Sequence, residues 1–377
     1  MSSFPLPEPL PEEPARPEPP PGAPPEGPLE RLVRSAARAA GRLGWRLNLL
    51  LLLATFGTTT LSYAISFADP ALGPHLLAQL GAALTYSVPV LLILGSHEMG
   101  HYVFCRWYGV RATLPYFIPA PPIVLSGTFG AVIRMRPPIP SRRALFDIGI
   151  AGPIAGFIVA VPVLVYGLMT ARVQAMPEEP GGYLLFGDSI LTTVLTHLLH
   201  GPIPDGSTLL ANGPTIAGWF GLLVTAMNLF PVGQLDGGHV TFALSPGLAR
   251  SVSRFLVTGM VVLVAASLLA PLTPLWPLGA ALAVTARELW PRLNPGLRRF
   301  AALGAVILVG WCIVHGVFTA WLLWTVVLVV LGRRPHPPVE NASVPPGPLR
   351  VGLAVLALVI FVLCFMPFPL VEVPPGS

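Results

Sequence analysis

The sequence predicts an all-α polytopic membrane protein, and three observations support this prediction. Hydrophobic residues make up 53% of the 377 residues, and charged residues only 10%. Soluble globular domains carry about 25% charged residues, so a soluble enzyme is excluded. Several apolar runs reach the roughly 20 residues that a helix needs to cross a bilayer. All 22 basic residues are arginine and most of them flank these runs, so we expect contact with lipid and no nucleic-acid partner.

The first part of the chain precedes the apolar runs. Residues 1–28 contain twelve prolines and almost no aromatic residues, a composition typical of a disordered tail. Residues 29–46 carry arginines at helical intervals and are predicted to form a basic juxtamembrane helix on the lipid surface. These arginines are Arg31, Arg34, Arg38, Arg42 and Arg46.

The apolar runs predict seven to nine membrane spans. They lie at residues 47–67, 75–104, 148–170, 216–230, 255–269, 275–289, 301–331 and 351–368. Residues 47–245 are expected to form the membrane-embedded core and residues 246–332 additional spans. Residues 333–350 are expected to be a cytoplasmic linker before a C-terminal span at 351–371. The arginine clusters alternate between span ends, which predicts a multi-pass protein of the cell membrane with a cytoplasmic N-terminus.

The second apolar run contains the string His97-Glu98-Met-Gly-His101. On a helix the two histidines share one face and can both bind a metal ion, while Glu98 is rotated by about 100° and can reach a metal-bound water. Ionisable side chains cost about 2.5 to 3.5 kcal/mol each at mid-bilayer, so this turn must face the protein interior. The pattern predicts a catalytic zinc site.

Two histidines leave such a site one protein ligand short. Asp147, Asp236 and Glu288 are the candidates, besides Glu98, in or near the apolar body. Asp236 lies where Pro231 and paired glycines interrupt a membrane segment, and is therefore the predicted third ligand. Asp147 is expected to cap a helix or to pair with the arginines that precede it, and Glu288 to form an interfacial pair. His239 is expected to neighbour the ligands, and His336 has no predicted role.

Three motifs, in this order, resemble the site-2 protease family of intramembrane zinc metalloproteases. They are His97-Glu98-Met-Gly-His101, Ala151-Gly152-Pro153, and Asn228-Leu-Phe-Pro231 followed by Leu235-Asp236-Gly237. The sequence between these motifs is similar to that of the EGY-type branch. The stretch 171–214 is too short for the PDZ domain of other members. The resemblance implies one zinc ion per chain at His97, His101 and Asp236, with Glu98 as general base and Asn228 assisting the oxyanion.

The resemblance also implies a function. We expect cleavage of membrane-protein substrates within or near their transmembrane segments, by a site-2 protease-like core with a short re-entrant β-hairpin or loop. Residues 126–134 are expected either to offer a strand edge to extended substrate or to form a hairpin with no partner. The alternatives are a polytopic proton or cation transporter and a zinc-binding pseudoprotease that does not cleave. The oligomeric state is not predicted.

Overall fold

A computed structural model describes residues 44–67, 75–175, 183–269, 319–332, 336–341, 343, 345–366 and 369–373. The described part is mostly helical with a few short strands, which confirms the predicted fold class. Three of its helices are long and apolar enough to cross a membrane: Trp45–Ser66, Leu77–Trp107 and Arg142–Thr170. The predictions for residues 1–28, 29–43, 275–289 and the first part of 301–331 lie outside the described residues.

Most of the described helices follow the predicted apolar runs, and the helices Ile190–His200 and Asp236–Leu244 lie outside them. In chain order they are α1 (Trp45–Ser66), α2 (Leu76–Trp107), α3 (Arg142–Thr170), α4 (Ile190–His200), α5 (Gly213–Leu229), α6 (Asp236–Leu244), α7 (Pro246–Leu269), α8 (Thr319–Gly332) and α9 (Pro348–Cys364). Side-chain caps fix several starts: Ser141 accepts from the N–H of Ala144, and Asn212 from the N–H of Thr215. Helix α3 therefore begins at Arg142, before its apolar run.

Short strands pair between the helices. They are β1 (Tyr116–Pro119), β2 (Thr128–Val132), β3 (Ile139–Ser141), β4 (Arg172–Ala175), β5 (Tyr183–Phe186), β6 (Ser207–Leu210), β7 (Val339–Asn341) and β8 (Leu370–Val373). Strands β1 and β2 form the expected hairpin, in register Tyr116 to Val132. The other pairs, β3–β7 parallel and β4–β6 and β5–β8 antiparallel, were not predicted. Their partners are far apart in sequence, so no local pattern reveals them.

The contacts between residues divide the structure into two compact units. The first contains the described residues up to Ala83, together with Leu114–Ile133. In it the hairpin packs on polar positions of α1. Thr58 Oγ1 donates to the carbonyl of Gly127 at 2.8 Å, and Ser62 Oγ donates to that of Val124 at 2.6 Å. Within the described residues β2 pairs with β1 alone, and a role in binding a substrate strand stays a prediction.

The second unit contains Leu84–Thr113 and the described residues from Arg134 onward. Its core is apolar and lies between α2, α3, α5 and α9. Buried residues from these four helices include Ile93, Leu164, Leu222 and Ile360. Helix α3 packs along α5 and α6, and its first half contacts both the histidines of α2 and the start of α6. This arrangement brings distant parts of the chain to one buried point.

Candidate metal centre

Three metal-ligand side chains meet in the second unit. They are His97 and His101 on α2, and Asp236, the first residue of α6. Nε2 of His97 lies 3.2 Å from Nε2 of His101 and 3.2 Å from Oδ2 of Asp236, and Nε2 of His101 lies 3.3 Å from the same oxygen. Four ligands around a zinc ion at about 2.0 to 2.1 Å are about 3.3 Å apart. Two imidazoles and a carboxylate at this spacing fit zinc.

Helix α2 positions the two histidines. Their spacing of four residues places them on one face, and their rings meet edge to face with centroids 4.9 Å apart. The side chains are buried, with His97 4% and His101 6% exposed. Glu98 lies between them in sequence and is also buried. Ionisable groups at this depth need partners or a metal, so the turn is built for a polar function.

The protonation of His101 follows from its backbone partner. Its Nδ1 lies 2.7 Å from the carbonyl oxygen of Ile148 on α3. A carbonyl can only accept, so Nδ1 carries the proton and donates. Nε2 is the nitrogen that faces His97 and Asp236, and in the neutral ring it is the one left to bind a metal. Metal-ligating histidines are commonly fixed in this way by the hydrogen bond of their other ring nitrogen.

Glycines of α2 and α3 create the room for the histidines. A Cβ on Gly152 would stand 2.1 Å from Nε2 of His101, and one on Gly156 would stand 3.2 Å from Nδ1 of His97. From the opposite side, a Cβ on Gly100 would stand 2.5 Å from the carbonyl oxygen of Ala151. The two helices therefore approach closely because small residues line their contact, as is common between membrane helices.

A tight turn between α5 and α6 delivers Asp236. Gly233 has φ +52°, and a Cβ on Gly237 would stand 2.0 Å from the carbonyl oxygen of Leu229. Only glycine tolerates this approach, so the turn folds back on the end of α5. Asn228, in the last turn of α5, places Nδ2 3.4 Å from Nε2 of His97. The structure thus brings Asn228 to the cluster together with the three predicted ligands.

Arg142 supports α6 from its other end. Its buried guanidinium donates from Nε to the carbonyl of Ala243 at 2.8 Å and from Nη2 to that of Leu244 at 2.5 Å. These carbonyls belong to the last turn of the helix that begins with Asp236, where a cation also complements the helix dipole. Sequence reasoning treated this arginine as a membrane flank and missed the contact, because its partner lies about 100 residues away.

Asp147 has a different partner from the one expected. Ser141 caps α3, and Asp147 lies more than one turn inside it. Its carboxylate instead contacts Arg350 on α9 and the hydroxyl of Tyr108, just after α2. Hydrogen bonding to Asp147 raises the pKa of Arg350, while burial and this carboxylate raise the pKa of Tyr108. The expected charge pairing exists, but with an arginine far along the chain.

A second histidine pair joins His239 of α6 to His336, which lies just before β7. Nδ1 of His239 lies 3.4 Å from Nδ1 of His336, and the ring of His336 stacks on Phe242 with centroids 4.1 Å apart. Burial lowers the pKa of His336. His239 is buried beside α3 near Gly149 and is not among the three grouped ligand atoms. This agrees with its predicted place as a neighbour of the ligands.

An apolar groove of about 720 Å³ lies away from the ligands in the same unit. Two helix-interrupting prolines, Pro89 of α2 and Pro162 of α3, line it together with Tyr166. No ligand side chain lines the groove. The groove and the polar cluster are therefore separate places in this unit.

Comparison with known proteins identifies this arrangement. Residues 85–271, which include all three ligands, match the sequence profile of Peptidase family M50. The segment 85–271 belongs to peptidase family M50, the site-2 protease family. The predicted resemblance is thereby confirmed, as is its membrane character. No solved structure matches the chain.

The curated relatives of this chain include plant proteins. Probable zinc metalloprotease EGY1, chloroplastic, of Arabidopsis thaliana is 32% identical over 190 residues, covering 48% of this chain and 34% of the relative. Its counterpart from Oryza sativa subsp. japonica is 34% identical over 187 residues, 46% of this chain and 31% of the relative. Probable zinc metalloprotease EGY2, chloroplastic, of Arabidopsis thaliana is 32% identical over 158 residues, which cover 41% of this chain and 27% of the relative. The chain thus spans about a third of the length of these relatives.

Proposed function

We propose that this chain is an intramembrane zinc endopeptidase that cleaves membrane proteins within or near their transmembrane segments. The observation that carries the proposal is the buried meeting of His97, His101 and Asp236 inside the segment that matches the M50 profile. The apolar α2 and α3, which hold or pack against the histidines, support a site at membrane depth. The matched plant relatives are named as zinc metalloproteases.

The proposed ligands are His97, His101 and Asp236, with one zinc ion per chain. When bound, zinc supplies a Lewis acid for the peptide carbonyl and lowers the pKa of a bound water toward about 7. The hydrogen bond from His101 to Ile148 holds that imidazole in the tautomer that a metal needs. With Zn²⁺ bound, two neutral imidazoles and one carboxylate would leave a charge of about +1 on the metal and its ligands, which favours a polarised carbonyl oxygen.

Glu98 is the proposed general base. It follows ligand His97 directly and is buried, so its carboxylate accepts a proton from the attacking water and returns it to the leaving amine. Asn228 is the proposed oxyanion donor, because its amide nitrogen stands next to His97 and carries two N–H groups. An amide donor of this kind stabilises charge that develops in the transition state.

The proposed substrates are transmembrane segments. A peptide bond within a helix has its carbonyl already hydrogen-bonded, so local unwinding must precede attack. Residues 126–134 are the proposed place where unwound substrate pairs, since β2 has β1 on one side and, among the described residues, no strand on the other. This part of the proposal is independent of the ligand set.

The proposed setting is a cell membrane with the N-terminus on the cytoplasmic side. Arginine placement supports it: α2 is continuous from His97 to Arg106, so the ligand lies nine residues, about 14 Å of helix, from a basic end. The core at 47–245, the further spans at 246–332, the linker at 333–350 and the span at 351–371 stay proposals. Accessibility of single introduced cysteines to a membrane-impermeant reagent tests them.

The test of the activity compares wild type with Glu98→Gln. Both proteins are purified at full length, reconstituted in liposomes and given fluorogenic peptides that each contain one transmembrane segment. We expect Glu98→Gln to keep its zinc and to lose cleavage by at least about 100-fold. Glu340→Gln, a change at an exposed carboxylate on β7, is the matched control and should cleave like wild type. Equal cleavage by Glu98→Gln would remove this residue from the proposal.

The same samples separate the two alternatives. Zinc in both proteins with cleavage in neither would favour a pseudoprotease. Absence of zinc from wild type, together with proton or cation flux across the liposome membrane, would favour a transporter. Substrates trapped by the Glu98→Gln variant in native membranes can then be identified by mass spectrometry.

A further inference from the structure

Helix α9 contacts α3, close to the metal centre, through one arginine. Arg350, in the first turn of α9, donates from Nε to Oδ1 of Asp147 at 2.8 Å and from Nη2 to Oδ2 at 2.5 Å. This is the two-pronged geometry that only a guanidinium provides. The M50 profile ends at residue 271, so Arg350 lies outside the matched segment. A residue beyond the family core thus contacts the interior of that core.

A third group, the hydroxyl of Tyr108, takes part in the contact between Arg350 and Asp147. The hydroxyl of Tyr108 also hydrogen-bonds to Oδ2 of Asp147, and Nη2 of Arg350 lies 3.4 Å from the same hydroxyl. Tyr108 directly follows α2, the helix that carries both histidine ligands. The clamp, defined here as Arg350, Asp147 and Tyr108, therefore joins the end of α2, the second turn of α3 and the start of α9.

The clamp lies one residue from the partner of a ligand. Ile148 follows Asp147 in the chain, and its carbonyl accepts the Nδ1 proton of His101 at 2.7 Å. Asp147 is 8% exposed and Ile148 1% exposed, so neither can move without disturbing packed neighbours. If the Asp147 carboxylate lost its guanidinium partner, either water would enter the site or the carboxylate would move toward water. Either response displaces the backbone that holds His101.

We propose that Arg350 is a positioning residue of the metal centre. By clamping Asp147, it holds the Ile148 carbonyl where His101 needs it, and so keeps Nε2 directed at the metal. The C-terminal segment that carries α9 completes the site, although it supplies no ligand. This inference rests on the proposed zinc function, since it concerns how tightly and in what geometry the metal is held.

A lysine cannot replace the arginine fully. An ammonium keeps the charge but cannot donate two parallel hydrogen bonds to one carboxylate. We therefore expect a graded series in which Arg350→Lys lies between wild type and Arg350→Gln. Asp147→Asn should resemble Arg350→Gln, because both remove the same ion pair. The double variant should be no worse than either single variant, since the two residues act as one unit.

The experiment measures the rate at which the protein releases zinc, and does not depend on activity. Full-length variants are purified, loaded with zinc, and mixed with a chromophoric chelator to follow metal release. We expect about tenfold faster release from Arg350→Gln and Asp147→Asn, the low end for changes beyond the direct ligands. The visible spectrum of the Co²⁺-loaded proteins should shift in the same variants. Arg254→Gln, at an exposed arginine of α7, is the matched control and should release zinc like wild type.

Two further outcomes keep the inference distinct from a role in folding and from the proposed function. Tyr108→Phe keeps the ion pair and should change release by less than Arg350→Gln, which provides a milder variant if the latter fails to fold. Lowered thermal stability with unchanged release and unchanged Co²⁺ spectrum would overturn the positioning role. A wild-type protein that binds no zinc would contradict the proposed function itself.

Discussion

The backbone of Gly152 lies against the imidazole of His101, so closely that a Cβ at residue 152 would stand 2.1 Å from Nε2. The face of the ring at the nitrogen proposed to bind the metal thus packs against a helix that has no side chain at that point. The Ala-Gly-Pro motif at 151–153 places this glycine at the crossing of α2 and α3. Packing and chemistry are therefore coupled at one residue.

Gly152→Ala should disrupt the centre without altering any ligand. The added methyl must push the His101 ring aside, and we expect zinc affinity to fall by about 10- to 100-fold, as for lost outer-shell support. Equilibrium competition with a zinc chelator measures it. Gly81→Ala, in the same helix as His101 but with no atom near the added Cβ, is the control. Wild-type affinity in Gly152→Ala would contradict the described crossing.

Arg142→Met should lower the stability of the protein. The substitution keeps the apolar stem but leaves the carbonyls of Ala243 and Leu244 without their charged donor, and we expect a loss of about 2 to 4 kcal/mol. Thermal unfolding in detergent, followed by circular dichroism, checks this. Arg143→Met changes the exposed neighbouring arginine and should unfold like wild type. An equal loss in both variants would mean that the end of α6 does not depend on Arg142.

Asn228→Ala should slow catalysis while sparing the metal. Removing one oxyanion donor lowers kcat by about 100- to 1,000-fold in enzymes where it has been isolated. The side chain is close to His97 but is not among the grouped ligands, so zinc content should stay at the wild-type level. Single-turnover cleavage and zinc analysis on the same preparation provide the two readouts. Loss of zinc with loss of activity would instead place Asn228 in support of His97.

His336 should make stability depend on pH. Burial lowers its pKa in the folded protein below the ordinary value of 6.5, so the unfolded chain binds more protons between these two pKa values. The free energy of unfolding should therefore fall as pH decreases below about 6.5. His336→Gln should flatten this decrease in denaturant titrations, whereas His197→Gln, at an exposed histidine of α4, should not. An unchanged pH profile for His336→Gln would contradict the assignment.

Local signals were sufficient to select the three side chains that the structure brings together. His97 and His101 are four residues apart in one apolar helix, and this spacing alone places them on one face. Asp236 was identifiable because proline and glycines interrupt a membrane segment just before and after it. Its delivery depends on contacts that the glycines permit, such as the approach of Gly237 to Leu229. Short-range chemistry therefore specified which residues form the cluster.

Long-range pairs were not predictable. Three contacts join residues about 100 to 200 positions apart. They pair Arg142 with the end of α6, Arg350 with Asp147, and Ile139 with Val339. An arginine beside an apolar run has the same local pattern whether it faces lipid headgroups or a buried carboxylate. Only the tertiary structure distinguishes these cases, so the support of the centre emerged from the fold.

The most direct test is the zinc content of the purified full-length protein, measured by inductively coupled plasma mass spectrometry. His97→Ala, His101→Ala and Asp236→Ala are compared with wild type and with His197→Ala as a matched control. The account predicts about one zinc per chain in wild type and control, and little or none in the three ligand variants. Wild-type zinc content in the Asp236→Ala protein, or no zinc in wild type, would contradict it.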